Sequence, residues 1–311
     1  MSVNPPPWHG SDRLAGLRRF AVAITTLNLL GHTVLGFEQP WIVPFVSVVA
    51  AYATELLLET VDAAVTRRAA RYRGGLPALV DFLLPAHISG LAVGMLLYPN
   101  TRLMPVVCGA VTAIGSKSMI RGRVDGASRH LMNPSNVGIV VTVLVFPWVG
   151  VTPPYQFTED VDVVGDWLLP VVMTATGLFL NARFTHRLPV VAGWVGGFVA
   201  QAVARSLASG APLADSLVPP LVPMTSVAFI LYTLYMVTDP ATTPSRRGAQ
   251  AMFGAAVAAT YGALVALHVV YGLFFALAAV STVRAAYILG ASLVRRTFAA
   301  RERHAPAVAE V

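Results

Sequence analysis

The chain reads as an all-α, polytopic integral membrane protein, and three observations predict that class. Of its 311 residues, 56% are hydrophobic and only 12% are charged, where a soluble domain carries about a quarter charged residues. Apolar runs follow one another along the whole chain, each close to the roughly 20 residues a helix needs to cross a hydrocarbon core. Basic residues cluster in alternate connections between those runs, the pattern left by positively charged cytoplasmic loops. The net charge of +7 therefore does not point to nucleic acid, because it is spread over short loops and not gathered on one face of a domain. The single cysteine, Cys108, excludes a disulfide framework and any thiolate-held cluster supplied by this chain alone.

The predicted spans are 19–36, 41–63, 76–98, 103–119, 134–152, 167–182, 188–205, 219–237, 250–270 and 272–294. Arg13, Arg18 and Arg19 precede the first, which lacks a small-residue cleavage site and so reads as a retained helix and not a signal peptide. Arg67, Arg68, Arg71 and Arg73 follow the second span; Lys117, Arg121, Arg123 and Arg129 lie at or after the end of the fourth. Arg183 and Arg187 follow the sixth, Arg246 and Arg247 the eighth, and Arg295, Arg296, Arg301 and Arg303 the tenth. On the other side stand only Arg102 and Arg205, with the acidic run Glu159, Asp160, Asp162 and Asp166. This alternation puts both termini in the cytoplasm of a multi-pass cell-membrane protein. Only Tyr271-Gly272 separates the last two spans, so that region also reads as one span plus a broken one.

Ten spans divide into two fives, and a five-helix unit repeated in sequence must run in the opposite direction. The expected organisation is one membrane domain over 1–311, with inverted repeats at about 17–152 and 165–296 and mobile cytoplasmic tails at 1–12 and 300–311.

Two proline-bearing polar segments carry the candidate chemistry. In the loop 115–136, Asn133-Pro134 reads as a helix cap followed by proline at the first helical position. The partial positive charge behind that cap, with Lys117, Arg121, Arg123, Arg129 and His130 nearby, suits a phosphate or the carbonyl edge of a reduced flavin. Ser135 and Asn136 belong to the same cap. In the second segment Thr238-Asp239-Pro240 caps a turn, and Thr242, Thr243, Pro244 and Ser245 end the eighth span. Both segments also read as ordinary capped turns in positive-inside loops.

Ionisable residues inside spans are costly and attract functional readings. Glu55, Glu59 and Asp62 share one helix face, Asp81 lies about one turn into the third span, and Arg284 lies mid-way along the tenth. Arg284 is expected to pair with Glu55 or Glu59, as a relay, a ligand anchor or a structural ion pair. His87, after Pro85, is placed to face a cavity, His32 with Asn28 to bond another helix, and His268 at a membrane surface. No pair of histidines has metal-site spacing on one helix, so no metal is expected. Trp41, Trp148, Tyr155 and Trp167 fall at predicted outer boundaries. Trp194 reads as core, or as a stacking partner for a flavin. Gly193, Gly196, Gly197 and Ala200 form a small-residue face for close helix contact. No P-loop, nucleotide-binding glycine motif or nucleophile elbow is present.

These motifs, in order, resemble the RnfD/NqrB family of membrane electron-transport proteins over roughly 76–265. The resemblance rests on Asp81-Phe-Leu-Leu-Pro85, Lys117 with Arg121-Gly-Arg123, Met132-Asn-Pro-Ser-Asn-Val-Gly138, Phe146-Pro-Trp148, Arg187-Leu-Pro-Val190 and Tyr235-Met-Val-Thr-Asp-Pro240 with Pro244 and Gly248. Arg129-His-Leu-Met-Asn-Pro-Ser-Asn-Val-Gly138, Phe179-Leu-Asn-Ala-Arg-Phe184 and Thr238-Asp-Pro-Ala-Thr-Thr-Pro-Ser245 are most similar to the RnfD-like membrane proteins (UnbU type) of enediyne biosynthesis clusters. The resemblance implies ten helices in two inverted repeats and a role in electron transfer. With the chemistry of the two polar segments, the expected cofactor-binding residues are Lys117, Arg121, Arg129, Asn133, Ser135, Asn136, Thr238, Asp239, Thr242 and Thr243. The flavinylation motif expected in the outer loop is missing from 152–162, and Asp125-Gly-Ala-Ser128 lies on the opposite side. The expectation is therefore noncovalent FMN or riboflavin, not covalent FMN, with a redox or biosynthetic protein partner. A transporter or channel for a small metabolite or the pathway product is the alternative, and a scaffold for soluble enzymes a third. No independent catalytic motif accompanies any of these readings.

Overall fold

The computed structural model describes residues 10–152 and 163–304, with side chains over 14–152 and 167–295. Tyr155 and the acidic residues Glu159, Asp160 and Asp162 lie outside the described residues, as do the side chains of Arg13, Asp166, Arg296, Arg301 and Arg303. Of the expected tails, residues 10–12 open the first helix and 300–304 close the last; the remainder also lies outside.

The fold is all-α and built of apolar helices suited to a lipid bilayer. In chain order they are α1 (Gly10–Thr33), α2 (Ile42–Val65), α3 (Leu76–Leu96), α4 (Met104–Met119), α5 (Pro134–Val145), α6 (Val163–Arg183), α7 (Leu188–Ala208), the short α8 (Leu213–Ser216) and α9 (Val218–Leu221), α10 (Val227–Leu231), α11 (Arg247–Ala266) and α12 (Gly272–His304). Among the described residues, five helices are by themselves long and apolar enough to cross a membrane: α2, α3, α7, α11 and Gly272–Arg295 of α12. The bent pair Leu213–Thr225 and Val227–Met236 makes a sixth if taken as one span.

Two predicted spans differ from expectation. The fifth, expected over 134–152, is helical only to Val145, about 18 Å of rise against a core of about 30 Å. Its remainder turns back, and β4 (Gly150–Val151) pairs antiparallel with β1 (Leu97–Tyr98). The eighth is broken by 66° at Ser226. Pro219, Pro220 and Pro223 remove backbone donors there, and Ser226 restarts the chain as a cap whose hydroxyl accepts from Phe229 N–H at 3.2 Å. A wide π turn over Tyr232–Met236 then closes the segment. The last two spans are separate helices, with His268 and Tyr271 both in left-handed conformation between them.

The connections expected to be basic gather at one end of the bundle. Arg18 grips Asp81 through two bonds of 2.9 and 2.8 Å. Arg19 lies over the Phe184 ring at 5.4 Å. Arg68 and Arg71 both hold Glu59, whose side chain is wholly buried. At the opposite end Arg102 lies over Trp148 at 4.6 Å. Apolar side chains cover the outside of the bundle, among them Val22, Phe45, Val49, Val171 and Val283, while Glu55, Asn136, Asn181 and Gln250 are buried within. This apolar-out arrangement is the one a hydrocarbon solvent selects.

Small residues set the two tightest helix pairs. A Cβ on Gly193 would run into the backbone of Ala251, and one on Gly254 into Val190 and Trp194, so α7 and α11 meet backbone to backbone. Gly138 likewise lies on the Gly109 carbonyl, joining α5 to α4. The expected glycine face is therefore narrower than its sequence: Gly193 and Gly197 contact α11, whereas Gly196 meets nothing and Ala200 is exposed. Trp194 is core. It is fully buried, stacks on Phe229 at 5.7 Å and donates to Thr233 Oγ1 at 2.8 Å.

One backbone pattern occurs twice. At the end of α1, Val34 and Leu35 N–H both donate to Leu30 O, at 2.8 and 3.0 Å, and Phe37 N–H to Gly31 O at 2.9 Å. At the end of α6, Phe184 and Thr185 N–H donate to Leu180 O and Arg187 N–H to Asn181 O, all at 3.0 Å. The left-handed residues are Gly36 and His186. The two caps share one geometry and lie at opposite ends of the bundle.

Candidate functional site

The first polar segment folds as a helix end, a hairpin and a capped helix. After α4, β2 (Arg121–Val124) pairs with β3 (Ala127–His130) in the register Arg121 to His130. Asp125 and Gly126, both at positive φ, make the tight two-residue turn that suits a hairpin's twist. Leu131 and Ile288 of α12 lie under Gly122, which fixes the hairpin to the bundle. Asn133 then caps α5: its Oδ1 accepts from Asn136 N–H at 3.0 Å, and Pro134 takes the first helical position.

The second polar segment is a turn organised by Asp239. Its carbonyl accepts from Thr242 and Thr243 N–H at 3.2 and 3.1 Å, and its Oδ1 from Ala241 N–H at 3.0 Å. Arg187 donates to Pro240 O at 3.1 Å and Arg284 to Thr242 O at 2.8 Å. Leu234 O, in the π turn just before, accepts from Asn181 Nδ2 at 2.8 Å and Thr238 Oγ1 at 2.6 Å.

These two segments meet. Asn133 Nδ2 donates to Met236 O at 3.3 Å, His130 Nε2 lies 3.4 Å from Asp239 Oδ2, and Ser245 Oγ donates to Asp125 Oδ2 at 2.9 Å. Burial works to raise the Asp239 pKa, but His130, Ala241 N–H and Thr242 outweigh it and hold the carboxyl below its ordinary value. Burial also pushes Arg187 down to about 10, against the pull of Asp239.

The junction forms one end of a cleft of about 860 Å³. Its walls are faces of α1, α3, α6 and α10 with the π turn, and Lys117, His130, Asn133, Ser135 and Asp239 border it at the junction end. Leu30, Thr152, Leu169, Ser226 and Tyr271 border the far end. Lys117 is paired with Glu55 at 2.8 Å, the two side chains 13% and 11% exposed, so neither presents a bare charge. The Ser135 hydroxyl makes no hydrogen bond among the described residues and borders the cleft. Tyr232, Tyr235 and Phe274 supply aromatic surface beside it. The volume, the apolar walls and the few convergent polar groups are those of a small-molecule site.

No family model matches this chain, and no curated protein matches it.

Four of the ten residues expected to bind a cofactor border the cleft: Lys117, Asn133, Ser135 and Asp239. The other six do not. Arg121 is exposed and bonds Ser128 and the Lys117 carbonyl. Arg129 lies near Arg187 and Arg284. Asn136 is turned to Phe274 O at 3.1 Å. Thr238, Thr242 and Thr243 are buried in bonds to their own turn. The expected pairing of Arg284 with Glu55 or Glu59 does not form. Lys117 takes Glu55, and Arg68 and Arg71 take Glu59, because both arginines follow α2 directly whereas Arg284 lies beside the Asp239 turn. Asp81 serves Arg18. His87 does not face the cleft; it bridges Thr25 Oγ1 at 2.7 Å and Tyr52 Oη at 2.8 Å, tying α3 to α1 and α2. His32 bonds Asn28 O at 2.9 Å within α1, and Asn28 reaches Met95 Sδ at 3.8 Å. No group of three metal-ligating side chains occurs among the described residues.

His130 belongs to the site although the sequence weighed it only as added charge. The Asp125-Gly126 pair between alternating residues was the signal that would have found its hairpin. Tyr232 and Phe274 carried no signal, because an aromatic in an apolar span looks the same whether it faces core, lipid or cleft.

Proposed function

We propose that this chain is an RnfD-like membrane protein that holds a flavin noncovalently between its halves and supports electron transfer in a biosynthetic pathway of the enediyne type. The observation that carries this reading is the meeting of the Asn133 cap with the Asp239 turn at the end of an aromatic-sided cleft. Asn133, Ser135 and Asp239 would hold the polar edge of the ring, with Tyr232, Tyr235 and Phe274 beside its plane. Lys117 and His130 would tune the local charge. Bound there, the flavin supplies one- and two-electron transfer, and the protein contributes orientation, hydrogen bonds and exclusion of water. The matching caps of α1 and α6 at opposite ends support two inverted five-helix repeats, with α1, α4, α5, α6 and the bent pair completing ten passes. The basic end would face the cytoplasm, with both termini, at the cell membrane. A redox enzyme would be the partner at that face.

Detergent-purified protein, as isolated and after incubation with riboflavin or FMN, tests this directly. The expected result is a flavin absorbance that survives gel filtration, is lost on denaturation, and falls at least tenfold in affinity in Asp239→Asn. Protein that retains no flavin after reconstitution overturns the reading.

Transport of a small metabolite is the second reading, favoured because the cleft runs from the junction to Thr152 and Tyr271 at the opposite end. Vesicles that release a pathway product only when they contain the protein would support it.

A further inference from the structure

The cleft has a further property, which concerns the chain with no flavin at its junction end: it is open toward the lipid. α1 packs along α3, and α6 along α10 and the π turn, but α1 and α6 do not pack along each other. They are linked at the junction end, where Arg19 covers Phe184 just past α6, while Phe20 of α1 stacks on Tyr235 of the π turn at 5.6 Å. Beyond that link, Leu30 of α1 and Val172 of α6 both border the cleft and remain 40% and 47% exposed. Two helices that border one cleft without packing along each other, with lining side chains left this exposed, leave a mouth between them. Along α1 the cleft extends from Leu17 to Leu30, about 20 Å at the helical rise.

The chemistry of the two ends narrows the occupant. Between them the walls are mainly aliphatic and aromatic, with the hydroxyls of Thr26, Ser89 and Thr176 among them. At the junction end Lys117 is paired with Glu55 and the Asp239 carboxylate accepts from Ala241 N–H and faces His130 at 3.4 Å, while the Ser135 hydroxyl is unengaged. That end offers hydrogen bonds but no spare charge, and an ionised head would enter it without a counter-ion. We propose that the cleft takes an elongated, uncharged amphiphile from the bilayer, which passes between α1 and α6 and places its polar head beside Ser135 and Asn133. Such a ligand loses little on leaving lipid, since the cleft walls are as apolar as the acyl chains. Its specificity comes from length and from the head.

Retinol, an elongated neutral alcohol that fluoresces, is a suitable probe, with retinoic acid as its charged counterpart. Full-length protein in phosphatidylcholine nanodiscs is titrated with each, and quenching of protein fluorescence is read against protein-free discs. The expected result is saturable retinol binding at one per chain, at least tenfold tighter than retinoic acid. Leu27→Trp, which fills the cleft, and Val172→Trp, at its mouth, should each weaken retinol at least tenfold. Val49→Trp on the lipid-facing side of α2, 65% exposed, should leave it unchanged. Val172 is half exposed, so its variant decides the matter if Leu27→Trp does not fold. Retinol that only partitions as it does into empty discs, equal or tighter binding of retinoic acid, or saturable binding indifferent to Val172→Trp overturns the proposal. Riboflavin titrated into separate, retinol-free discs reports on the flavin reading by itself; because both ligands would use Asn133 and Ser135, the retinol titrations are run on flavin-free protein.

Discussion

Asn133 Nδ2 donates to the carbonyl of Met236 across 3.3 Å, joining two turns separated by 103 positions in the chain. The same side chain accepts from Asn136 N–H through Oδ1, so one amide caps a helix and clasps the neighbouring segment. Asn133→Ala removes both bonds, and Asn133→Asp keeps the cap while losing the donor. Loss of a cap costs about 1 kcal/mol. Thermal unfolding in detergent should therefore show Asn133→Ala destabilised, whereas both variants should lose ligand at the cleft. An Asn133→Asp variant with undiminished flavin or retinol affinity would show that the clasp does not shape the site.

The Lys117–Glu55 pair is nearly sealed from solvent. Removing one partner of such a pair leaves a buried charge alone, at about 3–5 kcal/mol. Lys117→Met and Glu55→Leu should each lower the unfolding temperature strongly. The double variant should recover much of the loss, because two apolar groups of similar size need no compensation. Strict additivity in this double-mutant cycle would mean that the pair is uncoupled.

Asp239 yields a pH dependence with a definite sign. Its folded pKa lies below the ordinary carboxylate value, so the folded state binds this proton less readily than the unfolded chain does. The stabilisation it gives is complete above the ordinary carboxylate range, about pH 4, and is lost as pH falls through the lower folded value. Unfolding temperature should drop on the acid side of about pH 4, and Asp239→Asn should flatten that limb. An unchanged acid limb in Asp239→Asn would assign it to other carboxylates.

Two glycines of one helix should respond in opposite ways. A side chain at Gly193 would strike the backbone of α11, while Gly196 has nothing within 4 Å. Gly193→Val should abolish stable assembly, as judged by gel filtration of the detergent-solubilised protein. Gly196→Ala should be neutral or stabilising by up to about 1 kcal/mol through helix propensity.

Class and most helix positions were legible in the chain itself. Apolar run length and the spacing of arginines are local quantities, and lipid acts on each run separately. The Asn133-Pro134 cap was legible for the same reason: its bond to Asn136 spans three residues. The break at Ser226 was not legible in the chain, where 219–237 reads as one span; Pro219, Pro220 and Pro223 are local signals, but the angle they produce depends on packing. The partners of buried charges were a different matter. Arg284 had several acids to choose from by composition, and only packing placed it beside Thr242 and gave Glu55 to Lys117. Likewise, Trp194 and Tyr232 are both aromatic and both buried, yet only Tyr232 borders the cleft. Which face of a helix meets a neighbour, lipid or empty space depends on contacts between residues far apart in the chain. An apolar span in hydrocarbon shows no polar face to announce them, so that assignment belonged to the tertiary structure alone.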